Sequence, residues 1–263
     1  MKPWATICLL LAVGGLTRAQ EDGLASRVWQ RYTNASTAQV RAVSRFEGLA
    51  LEAKPSVFEN IEPNQWKQME QEVKRLIGQE VRTHIAVQRP NRFYIEQKSA
   101  FGWFRSVCDG KLWKLQRQNG EVQKTSAPAS FRQMVDARYR PYLGLDEGVD
   151  VDVLHLLMAR APALRDKLLR AKEQAGETPN LKLLVWSEPI MYQGLKGQGT
   201  ITCVVDARTA LIQRVEYRFH VGYGADVWLN VVIGQRWDNS QLAKPPPPSL
   251  FRLEQARRGA SKR

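Results

Sequence analysis

Histidine and cysteine are scarce: three of each in 263 residues. His84, His155 and His220 do not stand in pairs at metal-ligand spacing, and no HExxH, GxSxG, P-loop or GxGxxG pattern occurs. No serine sits in a nucleophile-elbow context. The close carboxylates Asp146/Glu147 and Asp150/Asp152 precede a helical pattern, where negative charge suits a helix N-terminus. The sequence therefore predicts a non-catalytic protein with neither cofactor nor metal. An exported enzyme acting on an acidic envelope polymer would instead need two carboxylates converging in a cleft. Three cysteines are too few for a disulfide scaffold or a multi-cysteine zinc module. Glycine (18) and proline (13) sit near average usage, which excludes collagen-like and low-complexity chains.

What is present reads as a folded globular protein, 43% hydrophobic and 25% charged, with a net charge of +13. Met1-Lys2-Pro3-Trp4 carries a positive charge, Ala5 to Leu16 is apolar and small, and Thr17-Arg18-Ala19 ends on a small residue. That layout predicts a secretory signal peptide over 1–19, cleaved after Ala19. The apolar run falls short of the ~20 residues that a membrane-spanning helix needs. The residue directly after the cleavage point is Gln20 and not a cysteine, so lipidation is not expected. The mature chain is predicted to be soluble in a bacterial periplasm. Its basic surface then faces solvent or anionic lipid headgroups, and nucleic acid is not an expected partner. Cys108 and Cys203 remain after cleavage; whether they form a disulfide stays open.

Periodicity predicts a helix over 22–45 (Leu24, Val28, Tyr32, then Val40 and Val43) and strand-like chain from Phe46 to Phe58. Pro63 opens a second helix with Trp66, Met69, Val73 and Leu76/Ile77 on one face. From Gln79 to Gln123 apolar and polar residues alternate, and Asp109-Gly110 and Asn119-Gly120 mark hairpin turns. Ser130 to Asp136 reads as a short helical piece. Val151 to Lys172 reads as two, joined at Ala161-Pro162, with Leu154, Leu157, Met158, Leu164 and Leu168 forming the stripe. Strands return over 181–238, and Ser249-Leu250-Phe251 is a candidate last strand. The predicted fold class is α+β: one large antiparallel sheet covered on one face by short helices. The predicted organisation is a single domain over 20–244, followed by a Pro-rich and basic C-terminal segment over 245–263.

Two motifs add to this. Arg89-Pro90-Asn91-Arg92-Phe93-Tyr94-Ile95-Glu96 and Cys108-Asp109-Gly110-Lys111-Leu112-Trp113 resemble the "RPN-x-F…DGK-x-W" signature of the periplasmic lipoprotein carrier (LolA-like) superfamily, the proteins of outer-membrane lipoprotein sorting. The resemblance is sharpest over 86–125. It implies a strongly curved, incomplete β-barrel (a half-barrel) plugged by helices around a hydrophobic cavity for lipid or lipoprotein acyl chains. It implies a lid-locking role for Arg89, whose fork of donors can bridge helix-end carbonyls. Phe93, Ile95, Trp103, Trp113 and Leu115 from the sheet, with Leu154, Leu157 and Met158 from the plug, become the expected ligand-binding residues. Expected partners are those acyl chains, a membrane-bound donor or acceptor protein, and transient contact with a membrane surface. The helix from Glu62 to Ile77, the Pro245–Pro248 run and Gln255-Ala256 depart from the family pattern. A sensor or scaffold of the same fold, with a filled interior and a protein partner, is the alternative.

Overall fold

The computed structural model describes residues 23–58, 61–131, 133, 157, 162–192, 195–224 and 226–252. The predicted signal peptide, Leu154, His155, Met158 and most of 130–136 lie outside the described residues. The chain runs through α1 (Leu24–Thr33), β1 (Thr37–Ala53), α2 (Pro63–Lys74), β2 (Glu80–Gln88), β3 (Arg92–Ser99), β4 (Gly102–Cys108), β5 (Leu112–Arg117) and β6 (Val122–Ser126). It continues through α3 (Pro162–Leu169), β7 (Lys172–Ala175), β8 (Leu181–Tyr192), β9 (Leu195–Asp206), β10 (Leu211–Gly224) and β11 (Val227–Asp238), and ends on a 3₁₀ turn, Pro248–Phe251.

All eleven strands join one antiparallel sheet in the order β6-β5-β4-β3-β2-β1-β11-β10-β9-β8-β7. The sheet is open, with β6 and β7 at its edges. β7 pairs β8 only as far as Val185; beyond that, β8 has β9 as its one partner among the described strands. β1 is the axis, at 17 residues. It pairs β2 through Thr37–Arg45 but β11 through Arg41–Ala53, so the two halves of the sheet are staggered along it.

Strand alternation sorts the side chains. Phe93, Ile95, Cys108, Trp113 and Leu115 share one face with Val215, Tyr217, Val221, Val231 and Ile233, in a single apolar cluster. α1 lies on that face because Leu24, Val28 and Tyr32 recur every fourth residue and are buried in it. Each such side chain contributes roughly 1.5–3 kcal/mol. α3 adds Leu164 and Leu168, and α2 adds the half-buried Val73; Leu76, just beyond it, packs there too. Tyr32 ties α1 to the sheet: its hydroxyl donates to Asn239 Oδ1 and accepts the Ile212 amide, each at 3.0 Å.

Two expectations are corrected. The helix expected over 22–45 stops at Thr33, and Thr37 already opens β1. Ala38, Val40, Ala42 and Ser44 are buried in alternation, a period-two pattern that the small side chains hide. Ser249–Phe251 is not a strand but part of the 3₁₀ turn. It seats Phe251 on the opposite sheet face, against Ala86, Tyr94 and Val107. Cys108 and Cys203, whose pairing the sequence leaves open, form no disulfide: they are buried on β4 and β9 in different halves of the sheet. Among the described residues no helix is long and apolar enough to cross a membrane.

The outer face of β2–β4 carries a polar network. His84 Nε2 lies 2.8 Å from Gln39 Nε2, with its ring edge-on to Tyr94. Arg105 and Lys98 both pair with Glu96, the latter at 3.1 Å. Burial, reinforced by Arg41, holds His84 below the ordinary 6.5. At Glu96 burial acts upward, but the bonds from Arg105 and Lys98 outweigh it and hold the carboxyl below 4.5. Both folded-state values are depressed, so in each case the unfolded chain binds more protons. Stability is therefore present above the unfolded value and lost as pH falls through the folded one. The urea midpoint is expected to fall in two stages, the first beginning near 6.5 and the second near 4.5. His84→Gln should remove the first stage and Glu96→Gln the second.

Candidate functional site

The residues of the two motifs meet at one end of the sheet, where the β2–β3 turn faces the β4–β5 turn. Asp109-Gly110 makes the β4–β5 turn: the Asp109 carboxylate accepts the Lys111 and Leu112 amides at 2.8 Å each, and Gly110 has φ +95°, which a side chain disfavours. Asn91 holds this turn to the chain beyond β6, donating to Gly110 O at 3.0 Å and to Pro128 O at 2.8 Å. The Phe131 amide then bonds to Pro90 O.

Arg89 reaches the other way. Its Nε donates to Ala35 O at 2.9 Å, and its Nη2 donates to Thr33 O and, at 3.0 Å, to Leu157 O. Thr33 and Ala35 lie where α1 ends, so the guanidinium meets carbonyls that a helix C-terminus leaves without helical partners. Its charge also complements the negative end of the helix dipole. The same guanidinium sits 5.5 Å from the Phe131 ring centroid. Burial lowers its pKa from the ordinary guanidinium value, and it stays charged at neutral pH. One side chain thus connects three segments that cover the apolar face: the end of α1, the peptide at Leu157, and Phe131.

Below this clasp lie most of the expected ligand-binding residues. Phe93, Trp113 and Leu115 are fully buried, as is Leu157, and Ile95 is 1% exposed. The Phe93 and Trp113 rings meet edge-on at 4.9 Å, and Trp113 Nε1 donates to Ser106 Oγ at 2.8 Å. Trp103 does not belong here. On β4 the inward residues are Phe104, Ser106 and Cys108, so Trp103 shares the outer face with Arg105 and Val107. Trp103 instead lines an open groove of about 370 Å³ at the far end, with Phe101, Gln97 and Arg117. Phe101, 73% exposed, caps the β3–β4 turn there.

Two inward-facing polar features were not anticipated. Gln235, fully buried, donates to Ser44 Oγ at 2.9 Å and accepts from Trp237 Nε1. On β8, Trp186 and Glu188 interrupt an apolar row, and Lys167 of α3 pairs with Glu188. The signal for the second was available: in Leu184-Val-Trp186-Ser-Glu188-Pro-Ile190, the carboxylate occupies the inward parity. Among the described residues, no group of three or more His, Cys, Asp or Glu gathers to hold a metal ion. The sequence matches no protein-family model and no curated protein.

Proposed function

We propose that this is an exported, non-catalytic binding protein that holds the acyl chains of a lipid or lipoprotein against the apolar face of its sheet, for transport or sorting within the cell envelope. The observation that carries this reading is the Arg89 clasp. A cover held only by packing needs no such device. Here three carbonyls from two covering segments converge on one cation at the sheet's turn. In this reading the open, staggered sheet is the wall of a LolA-like half-barrel, and the helical pieces are its plug. The stagger about β1 supports it, because curling a sheet requires displaced register.

The magnitudes allow exchange between cover and guest. Re-exposing Leu157, Leu164 and Leu168 costs roughly 1.5–3 kcal/mol each, while a sixteen-carbon chain withdrawn from water gains roughly 12 kcal/mol. A guest can offset the opening of the cover, and a donor or acceptor protein at a membrane surface then sets the direction of transfer. The test is the purified protein itself. Mass spectrometry of organic extracts should find acyl species, and the emptied protein should take up a fluorescent fatty acid. Failure of both removes the reading. The close ring packing of Phe93, Trp113 and Phe131 favours one competitor, a sensor or scaffold with a filled interior. That competitor predicts a single stoichiometric protein partner and no lipid.

A further inference from the structure

The inner row of β8 is chemically unlike the rest of the covered face. Leu184 is 1% exposed, and Trp186 and Ile190 pack against the main apolar cluster, yet Glu188 stands between them. Its partner is Lys167, carried by the cover helix α3; the two side chains are 21% and 43% exposed. A small apolar space of about 10 Å³ lies between Leu164 and Leu168 on one side and Cys203, Ile212 and Trp237 on the other. Trp186 lines it too. The indole Nε1 of Trp186 is buried and meets no acceptor among the described residues.

Each of these has a consequence if α3 lifts. A buried donor without an acceptor is rare in native proteins and calls for a reason. A space of this size holds about one water molecule and no acyl chain, so a chain enters here only as α3 withdraws. Withdrawal takes Lys167 away from Glu188. It leaves a carboxylate on an apolar row, where an incoming acyl chain would strip its water unless a new cation comes with it. The incoming molecule therefore has to bring a carbonyl for the indole and a positive charge for the carboxylate. Residues two apart on a strand place these groups about 7 Å apart.

We propose that Trp186 and Glu188 form a recognition station for an ester-linked lipid with an ammonium headgroup. Trp186 Nε1 donates to the ester carbonyl, and Glu188 accepts the ammonium that replaces Lys167. A zwitterionic aminophospholipid meets both demands, and Lys167, on its flexible stem, is then free to meet its phosphate. This rests on the reading that the covered face holds acyl chains, and it names the class of lipid.

The experiment displaces a bound fluorescent fatty acid from the full chain with three lipids of equal chain length: diacyl phosphatidylethanolamine, its dialkyl ether counterpart, and diacyl phosphatidylglycerol. The ether and the glycerol lipid are each expected to compete about three- to ten-fold less well, the worth of one hydrogen bond or one half-buried charge contact. Trp186→Phe should level ester against ether while keeping the headgroup preference. Glu188→Gln should level the headgroups while keeping the ester preference. Equal competition by all three lipids on the unaltered chain overturns the proposal with no reliance on a variant's folding, while bound fatty acid leaves the carrier reading standing. Both preferences surviving in both variants overturns it as well. A chain that takes up no fatty acid at all removes the carrier reading and this inference with it.

Discussion

Arg89→Leu is expected to lower the thermal midpoint by about 6–12 °C and to speed the loss of a bound acyl probe. The substitution removes every hydrogen bond that the guanidinium makes to Thr33, Ala35 and Leu157. Bonds from a charged donor are worth about 1.5–3 kcal/mol, but these three share one group and are not additive, so about 3 kcal/mol in total is the working figure. For a domain of this size each kcal/mol moves the midpoint by about 2–4 °C. Arg89→Lys should recover less than half, because an ammonium keeps the charge but not the planar fork that reaches Ala35 and Leu157 at once. The two readouts separate the roles. A lower midpoint with unchanged loading and release kinetics would leave Arg89 a structural fastener and withdraw its place as the lock of a cover.

Trp113→Ala is expected to cost about 4 kcal/mol, the middle of the range for truncating a fully buried aromatic side chain. Phe93 loses its edge-on neighbour and Ser106 loses the indole donor. The variant also discriminates between an interior that admits a guest and one that is filled. If acyl chains bind against this face, a fluorescent fatty acid at a hundred times its dissociation constant should restore about 2.7 kcal/mol of the loss. Differential scanning fluorimetry with and without the probe reads this directly. Loss of stability with no recovery at any probe concentration would favour the scaffold reading.

Much of the architecture is legible in the sequence. Clean alternation in Arg214–Val221 and Val227–Ile233 placed β10 and β11 and their buried face, and Asp109-Gly110 placed a hairpin. Pro162 marked the start of a helix, as a residue lacking an amide hydrogen does without cost at the first helical position. The first half of β1 was misread because Ala38, Ala42 and Ser44 are small. They suit helix and strand alike, and only the buried parity of the finished sheet decides between them. Trp103 was misassigned by size: it is the larger neighbour, but Phe104 holds the inward parity. Arg89 stood out in the sequence as part of a motif, but nothing local shows that its donors reach Thr33 and Leu157, which come from 56 and 68 residues away. Glu188 is legible only through strand parity: it falls in step with Leu184, Trp186 and Ile190, and the pairing of β8 with β9 then fixes that row as the inward one.

Past Val185 none of the described strands pairs the outer rim of β8, and this has a bearing on how the protein behaves at high concentration. Pro189 sits in the middle of that stretch, opposite Gln198. Proline fits within a ladder only when its ring nitrogen points away from the neighbour it already has. The rim therefore lacks one rung for a newcomer. At high concentration that missing rung opposes stitching of these molecules edge to edge along β8.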